Sequence, residues 1–365
     1  MLRRLRKPES TGQGGGRREL PNLLACLLTS IVFSACTPDR AAESGFSQTL
    51  EISLGEATVL QDDSARELAV PTLVSVDRAG RLIIADGSDR DIKIYDSTGF
   101  RLKTIGRPGQ GPGEFMSLTA AQAYQDSIVA SDFALRRLTV FSPDGVPVRS
   151  FSPSFHPFAI RVVDDSLFLL IRHPGQGGKL LSIIRPDGST ISEFFDGAEF
   201  FEDPQLRHLT AVNADAADGR VFVNIFGDDD LFIFNYEGKQ IASGKIGGQL
   251  PLSDFPTLLK ASNGRVQHED GTWFHDGTRA VMKVVALESG RAALFAATYD
   301  TRVGTDPLEG GEILIVGETN RTVSTFATVP VPAGLMGRDN HGRPVLIGYS
   351  APDGEVIVIQ RMVLQ

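Results

Sequence analysis

Cysteine is almost missing from this chain: Cys26 and Cys36 are the two in 365 residues. A disulfide-stapled scaffold is excluded. Glycine is plentiful at 38 residues but has no three-residue period, which excludes a collagen-like fibre. No Lys/Arg cluster stands outside the N-terminal segment and the net charge is -9, so the counterion displacement that drives duplex binding has no surface to work from. Nucleic acid is not an expected partner. The body also has no sustained apolar period near 3.6, which argues against a helix-rich fold. What is present, 41% hydrophobic and 22% charged residues, is globular composition. The length fits two ordinary domains or one large all-β ring.

Arg3, Arg4, Arg6, Lys7, Arg17 and Arg18 precede an apolar run from Leu23 to Ala35 that ends in small residues. This is the order of an export signal, and the run is shorter than the roughly 18 residues that cross a bilayer. Phe33-Ser34-Ala35-Cys36 resembles the bacterial lipobox, in which the cysteine is acylated and becomes the new N-terminus. The resemblance implies a lipoprotein signal over residues 1–35, lipidation at Cys36 and a polar tether over 36–47. An ordinary cleaved signal and a retained anchor are the alternatives, and Arg17-Arg18 is similar to a twin-arginine signal. Thr37 after the cysteine, by resemblance to enterobacterial sorting, points to the outer membrane. Cys26 would leave with the signal, so the folded body would hold no thiol pair and would be more acidic than the whole chain.

A repeated phrase organises residues 48–365. Short apolar strands lead into polar tetrads at Asp96–Gly99, Ser142–Gly145, Arg185–Gly188, Asn235–Gly238 and Gly317–Asn320, whose last positions lie 46, 43, 50 and 82 residues apart. Each ends in Gly or Asn, residues that tolerate the positive φ of a tight turn. Units begin near Pro71, Met116, Phe158, Arg207, Ala280 and Ala333, and the sixth ends without an outer strand. Four strands per unit of about 45 residues predict an all-β, six-bladed β-propeller. The alternating segment Gln48 to Leu60 is available to supply the missing strand, closing the ring and covering its open edge. The long fifth interval carries an insertion at about 249–279, with a short helix predicted over Ser253 to Ala261.

Gly80-Arg81-Leu82-Ile83-Ile84-Ala85-Asp86 with Arg90-Asp91-Ile92-Lys93-Ile94-Tyr95-Asp96 and Gly99 resembles an NHL repeat, the unit of six-bladed propellers of the NHL-repeat or TolB-like type. Ile105 to Phe115 is similar to the connector after such a repeat in exported bacterial propellers. Units three, five and six lack the matching aspartate. The resemblance implies the fold over roughly 70–362 and says little of activity.

Asp86 with Arg90 and Asp132 with Arg136 hold matching places at strand ends, where they either brace a turn as an intrablade ion pair or face a ligand. Arg172, His173 and Asp228 take the same place in later units, so Asp86, Arg90, Asp132, Arg136, Arg172, His173 and Asp228 form the predicted ligand-binding set. The glycine-rich connector lacks the Lys-Ser/Thr of a phosphate loop and reads as a rigid crossing between blades. The six histidines match no zinc pattern, and Asp228-Asp229-Asp230 lacks the alternation of a calcium loop. No metal, cofactor or catalytic nucleophile is assigned. The expected function is a monomeric, lipid-anchored envelope module binding a protein, peptide or glycan. The alternative is a metal-dependent hydrolase or lyase of the lactonase sort, for which Asp86, Asp132 and Asn224 are the available ligands.

Overall fold

The computed structural model describes residues 52–61, 71–197, 211–226, 228–246, 279–298, 311–331, 334–339, 342–350 and 356–364. The expected signal, Cys36, the expected tether and the predicted helix of the insertion lie outside them. Apart from one 3-10 turn at Pro174–Gln176, the regular structure among the described residues is all strand.

The N-terminal strand is β1 (Ile52–Val59). The first blade is β2 (Pro71–Val76), β3 (Leu82–Asp86), β4 (Asp91–Tyr95) and β5 (Arg101–Ile105). The second is β6 (Leu118–Tyr124), β7 (Ser127–Asp132), β8 (Arg137–Phe141) and β9 (Pro147–Phe151). The third is β10 (Pro157–Asp164), β11 (Leu167–Arg172), β12 (Lys179–Ile184) and β13 (Thr190–Asp196). The fourth is β14 (Val212–Ala217), β15 (Arg220–Ile225), β16 (Asp230–Asn235) and β17 (Gln240–Lys245). The fifth is β18 (Arg279–Leu287), β19 (Arg291–Thr298), β20 (Gly311–Thr319) and β21 (Thr322–Val331). The sixth is β22 (Gly334–Arg338), β23 (Pro344–Ser350) and β24 (Val356–Leu364), with β1 antiparallel along β24 so that Ile52 faces Leu364 and Val59 faces Val358. A single parallel bridge, Ser243 to Thr322, joins the rims of blades four and five.

The inner strands begin within five residues of the positions read from the repeat. The tetrads ending in Gly99, Gly145, Gly188 and Gly238 are the outer hairpin turns, each glycine at positive φ. The fifth tetrad is shifted. Pairing in β20 and β21 continues through Glu318–Val323 and Thr319–Thr322, so the turn is Asn320-Arg321, both at positive φ, the two-residue hairpin that matches strand twist.

Burial follows strand position. β3 is buried at every residue, whereas the outer β5 is mostly exposed. Neighbouring sheets enclose six apolar clusters, one per interface. The cluster between the last blade and the first joins Val345, Ile347 and Ile359 to Val74, Val76, Ile84 and Tyr95. Each fully buried aliphatic side chain there stabilises the ring by roughly 1.5–3 kcal/mol, so the seam between chain ends is packed like the others. The result is a six-bladed β-propeller.

The connector after the first blade is the predicted crossing. Gly106 sits at φ 85°, where a Cβ would lie 2.4 Å from the Phe115 ring. Glu114 accepts from the Gly111 amide at 2.8 Å and from Arg107 Nε at 2.8 Å, which hold its carboxyl below the usual range. These contacts lock Phe115 into the core between blades one and two.

Candidate ligand-binding site at the propeller axis

Inner strands of neighbouring blades share no ladder in the described pairings, so their edge groups need other partners. Polar side chains in otherwise apolar inner strands supply them. Ser75 Oγ on β2 accepts from the Ala123 amide at 3.1 Å, and Gln122 Oε1 on β6 accepts from the Val162 amide at 2.5 Å. Asp215 Oδ2 on β14 accepts from the Ala286 amide at 3.0 Å, while Asn213 Nδ2 donates to the Val281 carbonyl at 2.9 Å. Lys283 Nζ on β18 reaches the Thr72 carbonyl of blade one at 3.4 Å. Arg338, last in β22, donates to the carbonyls of Val162, Ala216 and Ala286, which belong to blades three, four and five. The ring is tied across its axis by side chains.

At the end where the first and second strands of each blade turn back, a cavity of about 400 Å³ opens on the axis. All six blades line it, through segments that include Asp77-Arg78, Gln122, Asp164-Asp165, Asp218, Glu288 and Arg338-Asp339. Its size is within the range of small-molecule and side-chain pockets. Some carboxylates there are structural: Asp77 accepts from the Ala79 and Arg81 amides and pairs with Arg81 Nε at 2.6 Å, and Asp339 repeats the device with Arg343. Asp165 pairs with Arg78 at 2.7 Å. Asp164, Asp218 and Glu288 have no described cationic partner, which makes the mouth an acceptor surface.

Deeper in the channel the balance reverses. Arg161 is buried mid-strand in β10, beside Asp215, Lys283 and Arg338. Burial draws the Arg161 guanidinium down, Asp215 opposing and Arg338 adding to the shift. Burial, then Arg161, lowers Lys283 to about 7 against the pull of Asp215.

None of the seven predicted ligand-binding residues lines this cavity. They stand at the opposite end, in or beside the turns between second and third strands, and described contacts engage most of them locally. Asp86 pairs with Lys93 at 3.0 Å, not with Arg90, whose amide donates to the Asp86 carbonyl and whose φ is 60°. Asp132 accepts from the amides of Met116, Ser117 and Leu135, not from Arg136, which has φ 48°. The two intrablade ion pairs expected from the sequence are therefore replaced by a lysine pair and by amide caps. Arg172 stacks on Phe155 at 4.3 Å and donates to the Gly177 carbonyl, and His173 Nδ1 accepts from the Gly175 amide. Asp228, Asp229 and Asp230 lie close enough to share an ion, but the Lys245 ammonium stands among them. Asn224 donates to the carbonyls of Asp228 and Asp230. Asp86, Asp132 and Asn224 each belong to the turn region of a different blade and share no described partner.

Residues missed at the sequence level carry a readable signal. Asp77-Arg78-Ala79-Gly80-Arg81 and Asp339-Asn340-His341-Gly342-Arg343 share one spacing in blades one and six. Arg161, Asp215 and Lys283 interrupt apolar inner strands.

A family model described as a 6-bladed beta-propeller matches residues 60–152. Two solved structures resemble most of the chain. A putative exported protein from Bacteroides fragilis is 12% identical, with a TM-score of 0.56, covering 89% of this chain and 98% of its own. A member of the duf4221 family from Bacteroides vulgatus is 10% identical, with a TM-score of 0.57, covering 88% and 99%. At these identities the likeness is one of fold. No curated protein matches the chain in sequence.

Proposed function

We propose that this propeller is an exported, lipid-anchored binding module of a bacterial envelope, holding a protein, peptide or glycan at its axial mouth. The observation that carries the reading is the cavity to which all six blades contribute. A rigid ring that converges its turns on one acceptor-rich opening is suited to a ligand rich in donors, such as Lys or Arg side chains or sugar hydroxyls. Export is supported by the basic and apolar N-terminal segment and by the name of the Bacteroides fragilis protein of like fold. No helix among the described residues is long and apolar enough to cross a membrane. Attachment would fall to Cys36.

Peptide and glycan arrays probed with the purified body test the binding reading. Genuine ligands should lose affinity in Asp164→Asn and Glu288→Gln and keep it in Val148→Ser on the exposed outer rim. Hits indifferent to both mouth variants would overturn the assignment. Labelled acyl chains should enter the wild type and not Cys36→Ala, which should leave the membrane fraction.

A further inference from the structure

Three cations and one carboxylate cluster on the inner strands beside the mouth: Arg161, Lys283 and Arg338 against Asp215. Arg338 is occupied by carbonyls, and its guanidinium lies 4.0 Å from Asp215. Asp215 is itself an acceptor for the amides of Ala216 and Ala286. Arg161 and Lys283 are different. The guanidinium of Arg161, a residue only 7% exposed, makes one described hydrogen bond, Nη1 to the carbonyl of Ile160 at 2.9 Å. Lys283 makes one described hydrogen bond, a long one to the Thr72 carbonyl at 3.4 Å. Its strand packs against the inner strands of blades four and six, yet the residue is only partly buried, so part of it is reachable by solvent. Donors with so little exposure are ordinarily satisfied by a partner or by solvent, and a charge held inside a fold needs a counterion.

We propose that Arg161 and Lys283 form an oxyanion site inside the channel, taking a carboxylate or phosphate between the guanidinium and the ammonium. The fit is chemical: a guanidinium offers a planar fork and an ammonium a point charge, both complementary to oxyanions. Asp215 and Arg338 flank the site and are the other described charged groups that act on it. An anion there would balance the excess positive charge and draw a proton onto Lys283. The site is separate from the acceptor-rich mouth, and its ligand is of opposite charge.

Calorimetric titration of the folded protein with inorganic phosphate and with acetate, near pH 7 and at constant ionic strength, tests this. Saturable binding is expected, with proton uptake seen as heats that vary with buffer ionisation enthalpy. Arg161→Met should weaken binding by about tenfold or more, Arg161→Lys should restore part of it, and Lys283→Met should abolish the proton uptake. Glu288→Gln at the mouth should change anion affinity little. Phosphate binding well above acetate identifies a phosphate site, and comparable affinities a carboxylate one. No saturable binding of either anion, or binding undiminished in both Arg161→Lys and Lys283→Met, would overturn the proposal while leaving the array test of the mouth untouched. Circular dichroism of each variant separates lost binding from lost fold; should Arg161→Met not fold, the other two variants decide.

Discussion

Arg338 Nη2 donates to the carbonyl oxygen of Val162 at 2.8 Å, joining the sixth blade to the third across 176 residues of chain. The same guanidinium serves Ala216 and Ala286, so one side chain satisfies backbone groups on three blades that no ladder reaches. Arg338→Met should therefore destabilise the ring by about 2–4 kcal/mol, and Arg338→Lys should recover little, because one ammonium cannot span the same carbonyls. Urea denaturation measures both. A variant as stable as the wild type would show the axial ties to be incidental.

Lys283 gives the fold a distinctive pH dependence. Its value of about 7 in the fold lies below the ordinary 10.5, so between those pH values the unfolded chain binds more protons than the native one. Stability from this group rises with pH through that window, and below about 7 the whole penalty of burying the charge is present. Lys283→Met should be more stable than the wild type near pH 6, by roughly 1–4 kcal/mol, with the difference shrinking toward pH 10. Paired urea titrations of the two proteins across that range provide the check. A constant difference would place Lys283 at an ordinary pKa.

Lys93 shows the opposite arrangement. Burial opposes its charge, but the hydrogen bonds its ammonium donates to Asp89, Asp86 and Asp91 outweigh burial and hold it above its ordinary value. Its side chain is 3% exposed and that of Asp86 0%, at 3.0 Å. Lys93→Met would strand the buried carboxylate of Asp86 and the half-buried one of Asp91, at a cost of about 3–5 kcal/mol. Burial already raises the Asp91 carboxyl above its ordinary value, and without the ammonium nothing opposes that, so the variant regains stability as falling pH protonates the stranded acids. Its deficit should narrow from pH 7 toward pH 4 in thermal melts compared with the wild type.

Much of the ring was legible because its signals are local. Alternating apolar runs and glycine-ended turns mark the blades, and the units found from Pro71 onward coincide with the inner strands. The fifth tetrad misled because Glu318 and Thr319 continue the ladder, and pairing register is a tertiary property. The site was less legible for a related reason. Asp86 and Asp132 stand out in sequence as charges at strand ends, but they serve their own turns. Arg161, Asp215 and Lys283 are separated by more than 50 residues each and become one cluster only when the ring is formed.

Gly99 offers a test of how the N-terminal strand is seated. Beyond β1 the chain is strapped to the first blade: the Gln61 amide donates to the Gly99 carbonyl at 2.8 Å, and Thr58 Oγ1 reaches the Ser97 carbonyl at 3.4 Å. Gly99 has φ 92°, and a Cβ there would lie 1.9 Å from the Val59 carbonyl oxygen. Gly99→Ala thus carries two penalties, backbone strain of about 1–3 kcal/mol and a collision with the incoming strand. A double-mutant cycle separates them. Removing residues 1–61 should itself destabilise the propeller, since β24 loses its partner and becomes an exposed edge. In that shortened protein Gly99→Ala should cost measurably less than in the full chain, because only the strain remains. Equal costs in the two backgrounds would mean that β1 does not occupy its place beside Gly99 in solution, and the link between the sixth blade and the first would then rest on the apolar seam of Val345, Ile347 and Ile359 alone.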